Sequence, residues 1–335
     1  MIGITNDRRI RHEKRAVEEK YGAWTAHNIS IGQGVFTISG EVVGDEVKLR
    51  RVVQIVADIC NRPISDLRVL DLACLEGMYG IEFSRQGAQV CAIEGREANL
   101  EKARFAARAL SLGNIEFHQD DVRNLSKEKY GTFDVVLCLG ILYHLDAPRV
   151  FTFLENMFAA CTRVAVIDTH ISLHPKQAYF HRGKIYRGKT VVEHAPKTTP
   201  EEKKKKLWCS LDNPTSTYFT RPSLYRLLYD LGFTSVCECG IPQVPQQAED
   251  RATFVAVKGT TVSLVSCPHL PPEYARDLPE WTLATLALRR GLRIVSPLVP
   301  HRFKRLARKI CPESWTLSPV KMLQASERKK GTPQG

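Results

Sequence analysis

Val69-Leu70-Asp71-Leu72-Ala73-Cys74-Leu75-Glu76-Gly77-Met78-Tyr79-Gly80 is the stretch on which the fold turns. A short β-rich run from Arg68 to Ala73 ends on an acid, passes through small residues, and turns directly into a helical pattern reaching about Gln86. Gln89–Glu94 follows as a second apolar strand, then a helix over Glu97–Leu112 with Leu100, Ala103, Ala107 and Leu110 on one face. Ile115–His118, Phe133–Leu139 and Val164–Asp168 continue as strands, with Pro148–Ala160 a helix between the last two. Continuous apolar strands alternating with amphipathic helices predict an α/β fold. The sheet is Rossmann-like, seven-stranded and mostly parallel, with helices on both faces.

The ends of the pattern are equally readable. Thr220-Arg221-Pro222 opens a helix that Gly232 stops, and Ser235–Cys239 with Thr253–Lys258 closes the sheet as an antiparallel pair. Upstream, residues 1–22 read as a charged helix, 23–40 as a loop or short hairpin, and 45–60 as a helix ended near Pro63. Residues 170–219 break the rhythm with His, Lys, Tyr and Pro and predict a structureless cap near the substrate. The domain reading is therefore 1–64 as an N-terminal segment over the active site, 65–260 as the catalytic domain with its 170–219 insertion, and 261–335 as a basic extension.

Acids stand at the tips of successive strands. Asp71 ends the first, Glu94 the second, and Asp120-Asp121-Val122 follows the third. In a parallel sheet these tips share one edge, where ligands bind. One acid beside a loop of small residues, Ala73, Cys74 and Gly77, suits an ammonium group better than a pyrophosphate. Glu94 has the acceptors for a ribose diol, and Asp120, Asp121 and Val122 stand where an adenine edge would be read. Leu139 ends the fourth strand and leads into Gly140-Ile141-Leu142-Tyr143-His144-Leu145-Asp146-Ala147-Pro148.

With those residues in place, the chain from about 65 to 260 resembles the class I S-adenosylmethionine (SAM) dependent methyltransferases. It is similar in particular to a branch carrying GxLYHxxxP, which is distantly related to the tRNA wobble-uridine carboxymethyltransferase. Trp24-Thr-Ala-His27-Asn-Ile29 through Thr37 resembles the WxHxI run of that branch. The resemblance implies SAM as cofactor. Asp71, Ala73 and Gly77 would be at its methionine end, Glu94 at the ribose, Asp121 and Val122 at the adenine, and Leu139 as a wall. It places Trp24 and His27 over the cofactor or substrate. The glycine-rich loop of the family departs here to Asp71-x-Ala73-x-Leu75-x-Gly77, and Leu75 in particular should avoid a positive φ.

Methyl transfer needs an aligned nucleophile, and a base when that nucleophile carries a proton. His144, just past the fourth strand, and His170, just past the fifth, are the candidate catalytic bases; Tyr143 and Tyr218 are candidate substrate neighbours. The acceptor is expected to be a small molecule or glycan. An RNA acceptor such as a tRNA wobble base is the alternative, and an inactive SAM-fold scaffold is a third reading.

Composition sets the remaining bounds. The 335 residues carry a net charge of +12, of which residues 281–335 hold +10, twelve Lys/Arg against Glu313 and Glu327. The span 297–310 can form a basic amphipathic helix suited to an anionic membrane surface or a phosphate backbone. No signal-like or membrane-spanning run is present, and ten cysteines set mostly in apolar runs read as core thiols in a reducing cytoplasm. No residue spacing suggests a metal site, and a peripheral membrane position follows only if 297–310 takes the lipid role.

Overall fold

The computed structural model describes residues 2–32, 34–38, 44–244 and 247–259. The chain divides into two units, Met1–Pro268 and His269–Gly335, and every described residue belongs to the first. The basic run 281–335 and the 297–310 helix lie outside the described residues.

Helices α1 (Ile2–Tyr21) and α2 (Gly44–Cys60) precede the sheet. Between them an isolated antiparallel bridge pairs Ser30 with Phe36, within the span 23–40 read as a loop or short hairpin. Strand and helix then alternate through β1 (Arg68–Leu72), α3 (Met78–Arg85), β2 (Gln89–Glu94), α4 (Glu97–Ala109), β3 (Ile115–Gln119), the single turn α5 (Lys127–Tyr130), β4 (Phe133–Leu139), α6 (Arg149–Ala160) and β5 (Cys161–His170). Period-two side chains place Leu70 and Leu72 of β1 in a core with Phe151, Leu154 and Met157 of α6. Val69 enters the opposite core with Phe83, Phe105 and Val56 of the other helices. Both faces are covered, as the unbroken apolar strands require.

The insertion departs from expectation. Residues 170–219 are not structureless. They form β6 (Gln177–His181), β7 (Lys184–Val192), the capped helix α7 (Pro200–Lys205) and β8 (Thr215–Phe219), the three strands making a separate antiparallel sheet. The signal is hidden because β6 and β7 keep one face wet, so their alternation is written in charged and polar residues. Arg182 and Gly183, both at positive φ, make the tight turn between them. After β8, helix α8 (Arg221–Leu231) is capped by the Thr220 side chain and ended by Gly232. Strands β9 (Ser235–Glu238) and β10 (Arg251–Val257) complete the large sheet.

That sheet runs β3-β2-β1-β4-β5-β10-β9, parallel except at β10. Order reverses between β1 and β4, where a crevice opens at the carboxyl edge. The register carries the strand tips there together: Glu94 pairs with Gln119, and Leu139 with Asp168.

Candidate active site

The crevice is a cavity of about 330 Å³. Asp71, Ala73, Cys74, Glu94, Val122, Leu139, His27, Tyr143 and His144 line it, all named from the sequence. Tyr79 of the opening stretch lines it too, as do Lys48, Arg96, Arg251 and residues 207–211, which no sequence motif marked.

The loop after β1 sets the first half. Ala73, Leu75 and Gly77 all have positive φ, at 53°, 51° and 87°. Leu75 therefore takes the conformation its side chain disfavours, contrary to expectation, and the loop keeps a glycine-type path with two non-glycine residues. What holds it is Glu94, whose Oε2 accepts from the Leu75 amide at 2.9 Å and whose Oε1 accepts from the Arg96 amide at 2.8 Å. Asp71 Oδ2 accepts from the Gly80 amide at 2.9 Å. Gly77 is not among the lining residues. It backs onto α4, where an added Cβ would come 2.8 Å from that of Ala103.

These two carboxyls lie in apolar surroundings. Burial pushes Asp71 up to about 7, and the nearby Glu94 charge pushes the same way. Burial raises Glu94 as well, against the pull of the Arg96 amide and charge. Each Glu94 oxygen accepts one backbone bond and keeps a lone pair for a ligand hydroxyl. The site has two costly anionic positions that a cationic, diol-bearing ligand would relieve.

Asp120 and Asp121 do not join them. Asp120 is held by Lys129 Nζ at 2.6 Å, by Asn124 Nδ2 at 2.8 Å and by the Tyr130 hydroxyl. Asp121 caps the turn at 122–124 and grips the Arg123 guanidinium, which reaches on to Asp212 Oδ1 at 2.8 Å. Short acids after a strand bond readily to their own backbone, and here that local choice won. Only Val122 of this group faces the cavity. Trp24 is likewise removed from it, buried against Phe105 at 5.8 Å between centroids.

Glu76, fully buried, explains the upstream segment. Its carboxylate accepts from the amides of Thr25, Ala26 and His27 at 2.7, 3.1 and 3.0 Å, with Lys102 Nζ at 3.4 Å. His27 then sets its Nδ1 3.2 Å from the Met78 amide at the start of α3. The N-terminal segment is thereby fastened to the loop after β1.

The other half of the cavity holds His144, whose Nδ1 lies 3.0 and 3.1 Å from the two oxygens of Glu193. Tyr143 packs on His144 at 4.2 Å and meets the edge of His170 at 4.7 Å. His170 Nδ1 is engaged by Asp250 Oδ1 at 2.7 Å, and its ring stacks with Tyr218 at 5.7 Å. Neither His170 nor Tyr218 lines the cavity; Tyr143 stands between them and it. Below, the buried Asp168 accepts from Arg251 Nε at 2.6 Å and Thr253 Oγ1 at 2.8 Å, with Lys48 Nζ at 3.4 Å. Burial works against the Asp168 charge, but Arg251 and Lys48 outweigh it and hold the carboxyl below its ordinary range. Residues 207–211 form part of the cavity wall. Arg96 Nη2 donates to the carbonyls of Lys206 and Cys209 at 3.0 and 2.8 Å, and Leu211 sits against Gly95.

Comparison with known proteins agrees with this geometry. Residues 69–163 match the family described as methyltransferase domain. The chain is 31% identical over 104 residues to the ubiquinone biosynthesis O-methyltransferase of Acinetobacter baylyi, covering 31% of this chain and 41% of that protein. It is 31% identical over 143 residues to the enzyme of the same name from Hahella chejuensis, 41% and 56% of the two chains. The chain thus spans about half the length of the curated relatives it matches. Among solved structures, the N-terminal domain of EvdMO1, crystallised with SAH and D-fucose, superposes with a TM-score of 0.56 at 22% identity, covering 74% of this chain and 97% of that one. Residues 69–163, which match a methyltransferase domain, lie within a Rossmann-like, mostly parallel seven-stranded sheet.

Proposed function

We propose that the chain is a SAM-dependent methyltransferase that methylates a hydroxyl on a small-molecule acceptor. One observation carries the reading: a single cavity joins two buried carboxyls at adjacent strand tips, Asp71 and Glu94, to Tyr143 and His144. The bound cofactor would supply a methyl group on a positively charged sulfur. Glu94 offers its remaining lone pairs to the ribose hydroxyls, and Asp71 is the anion for the ammonium end. Tyr79, Val122 and Leu139 give apolar wall.

His144 is the base. It lines the cavity, whereas His170 is screened from it by Tyr143, and it takes the proton that the attacking hydroxyl must lose. The relatives named O-methyltransferases support an oxygen acceptor, as does the sugar found with the EvdMO1 domain. A cavity of about 330 Å³ favours a small acceptor over a base held in an RNA chain. The wobble-base and anionic-membrane readings rest on GxLYHxxxP and on 281–335, the latter outside the described residues. No helix among the described residues is long and apolar enough to cross a membrane.

Calorimetry with SAM and S-adenosylhomocysteine tests the proposal. The expected result is saturable, one-to-one binding of both at micromolar concentrations. Silence with both ligands at millimolar concentration would instead favour the scaffold reading.

A further inference from the structure

Glu193 lies outside every motif in the sequence. It directly follows β7, and its amide donates to the Pro214 carbonyl at 2.9 Å, so these two residues form the neck of the loop 193–214. Its side chain is nearly buried, at 5% exposure. One oxygen, Oε2, accepts from the amide of Ser210 at 2.9 Å, and both oxygens face His144 Nδ1. Ser210 belongs to the stretch 207–211 that lines the cavity. The same loop returns to His144 a second time, because Asn213 Nδ2 donates to the His144 carbonyl at 2.9 Å. A third bond closes the loop on itself, His194 Nε2 to the Ser210 carbonyl at 2.9 Å.

A neutral imidazole carries one proton, and the bond made by one ring nitrogen decides the role of the other. A carboxylate can only accept, so its position opposite Nδ1 demands the proton there. Nε2 is then left with its lone pair for the cavity that His144 lines. Without the carboxylate, nothing else described holds the proton on Nδ1.

We propose that Glu193 is the positioning residue of the active-site base, fixing His144 in the Nδ1–H form with Nε2 turned to the acceptor, and that it ties this form to the placement of the lining stretch 207–211 through Ser210. The inference rests on the methyltransferase reading and adds the device that makes His144 a base. In the step it serves, the acceptor O–H gives its proton to Nε2 while the oxygen forms a bond to the methyl carbon. The C–S bond breaks with its electron pair passing to sulfur, leaving a neutral thioether, a methyl ether and an imidazolium. Glu193 stabilises that imidazolium, as a carboxylate behind a catalytic histidine does. Ionisation of Glu193 suits this role. Burial opposes its charge, but the His144 contact prevails and keeps the carboxyl below its usual range.

The test is ¹⁵N NMR of histidine-labelled full-length protein saturated with S-adenosylhomocysteine, at a pH where the ring is neutral. Long-range ¹H–¹⁵N couplings distinguish the two forms. His144 is expected wholly as Nδ1–H in the parent protein, and as a mixture led by Nε2–H in Glu193→Ala. Glu193→Gln, which keeps a carbonyl for the Ser210 amide, should also lose the pure Nδ1–H form. A parent spectrum with the proton on Nε2 overturns the proposal without any variant. So does an unchanged Nδ1–H form in Glu193→Gln or Glu193→Ala. Failure of the ligand to bind the parent protein would instead count against the methyltransferase reading, so the two failures are separable.

Discussion

The carboxyls of the cavity's two halves are in opposite electrostatic states. In the half built on β1 and β2, Asp71 and Glu94 are raised by burial, their partners being neutral backbone amides and, for Glu94, the Arg96 charge, which offsets only part of the penalty. In the half built from β5, β10 and the insertion, Asp168 and Glu193 are lowered in spite of burial, because Arg251 and Lys48 neutralise the first and the His144 contact outweighs burial at the second. The first half is short of positive charge, which an arriving ligand would supply. The second is complete, and its charges hold side chains in place. A buried carboxyl is therefore informative about ligand binding only when its own protein leaves it short of positive charge.

The sharpest break in this comparison is a stability measurement without ligand. Asp71 has a folded-state pKa of about 7 against 3.8 unfolded, so folding takes up a proton over that interval. The stability tied to this group is present in full below the unfolded value and is lost as pH rises through about 7. Asp71→Asn removes the penalty, and at pH 8 it should raise the unfolding free energy by up to about 4 kcal/mol, at ~1.4 kcal/mol for each tenfold difference in proton affinity between the folded and unfolded chain. The gain should shrink steadily toward pH 5 in urea titrations. Asp168→Asn should do the reverse at pH 8, costing about 3–5 kcal/mol, since it leaves Arg251 and Lys48 buried without their partner. Both variants moving in the same direction would abolish the distinction between the halves.

Ligand affinity sharpens the contrast. Glu94→Ala removes two charged acceptors for the ribose and frees the amides of Leu75 and Arg96. At ~1.5 kcal/mol or more per charged hydrogen bond, S-adenosylhomocysteine binding should weaken on the order of 100-fold or beyond. Asp121→Asn should leave it within about threefold, roughly 0.7 kcal/mol, because Asp121 is spent on Arg123 and lies off the cavity. Equal losses in the two calorimetric titrations would restore Asp121 as an adenine reader.

The same contrast explains which residues are legible in the sequence. Asp71 and Glu94 are positioned by the ends of their own strands, and parallel pairing carries both to one edge, so a local pattern suffices. Lys48 and Arg251 reach the cavity from α2 and β10, Glu193 backs His144 from just past β7, and only tertiary packing brings them there. Glu193 is 49 residues from His144, and Arg251 is 83 from Asp168. Asp120 and Asp121 mislead for a third reason. Their position along the chain is right, but a neighbouring Arg123, Lys129 and Tyr130 claim their side chains. The small sheet of the insertion escapes detection because its exposed face is polar, which erases the apolar alternation.

The loop after β1 supplies the smallest and most local test. Three alternate residues share the left-handed region, and only one of them is glycine. For Ala73, a left-handed φ costs about 1–2 kcal/mol, while glycine at that site gives back roughly 0.5–1 kcal/mol in unfolded-chain entropy. Ala73→Gly should thus leave stability unchanged or raise it by up to about 1 kcal/mol, where glycine at an ordinary position would lower it. Leu75→Gly should gain less, since it also strips an apolar side chain from the cavity wall. Gly77→Ala should go the other way by about 1–3 kcal/mol, meeting both the φ of 87° and the 2.8 Å approach to Ala103. Chemical denaturation of the three variants reads the order directly. A clear loss in Ala73→Gly would mean that its backbone carries no left-handed strain and that Glu94 is not holding the loop against a conformational preference.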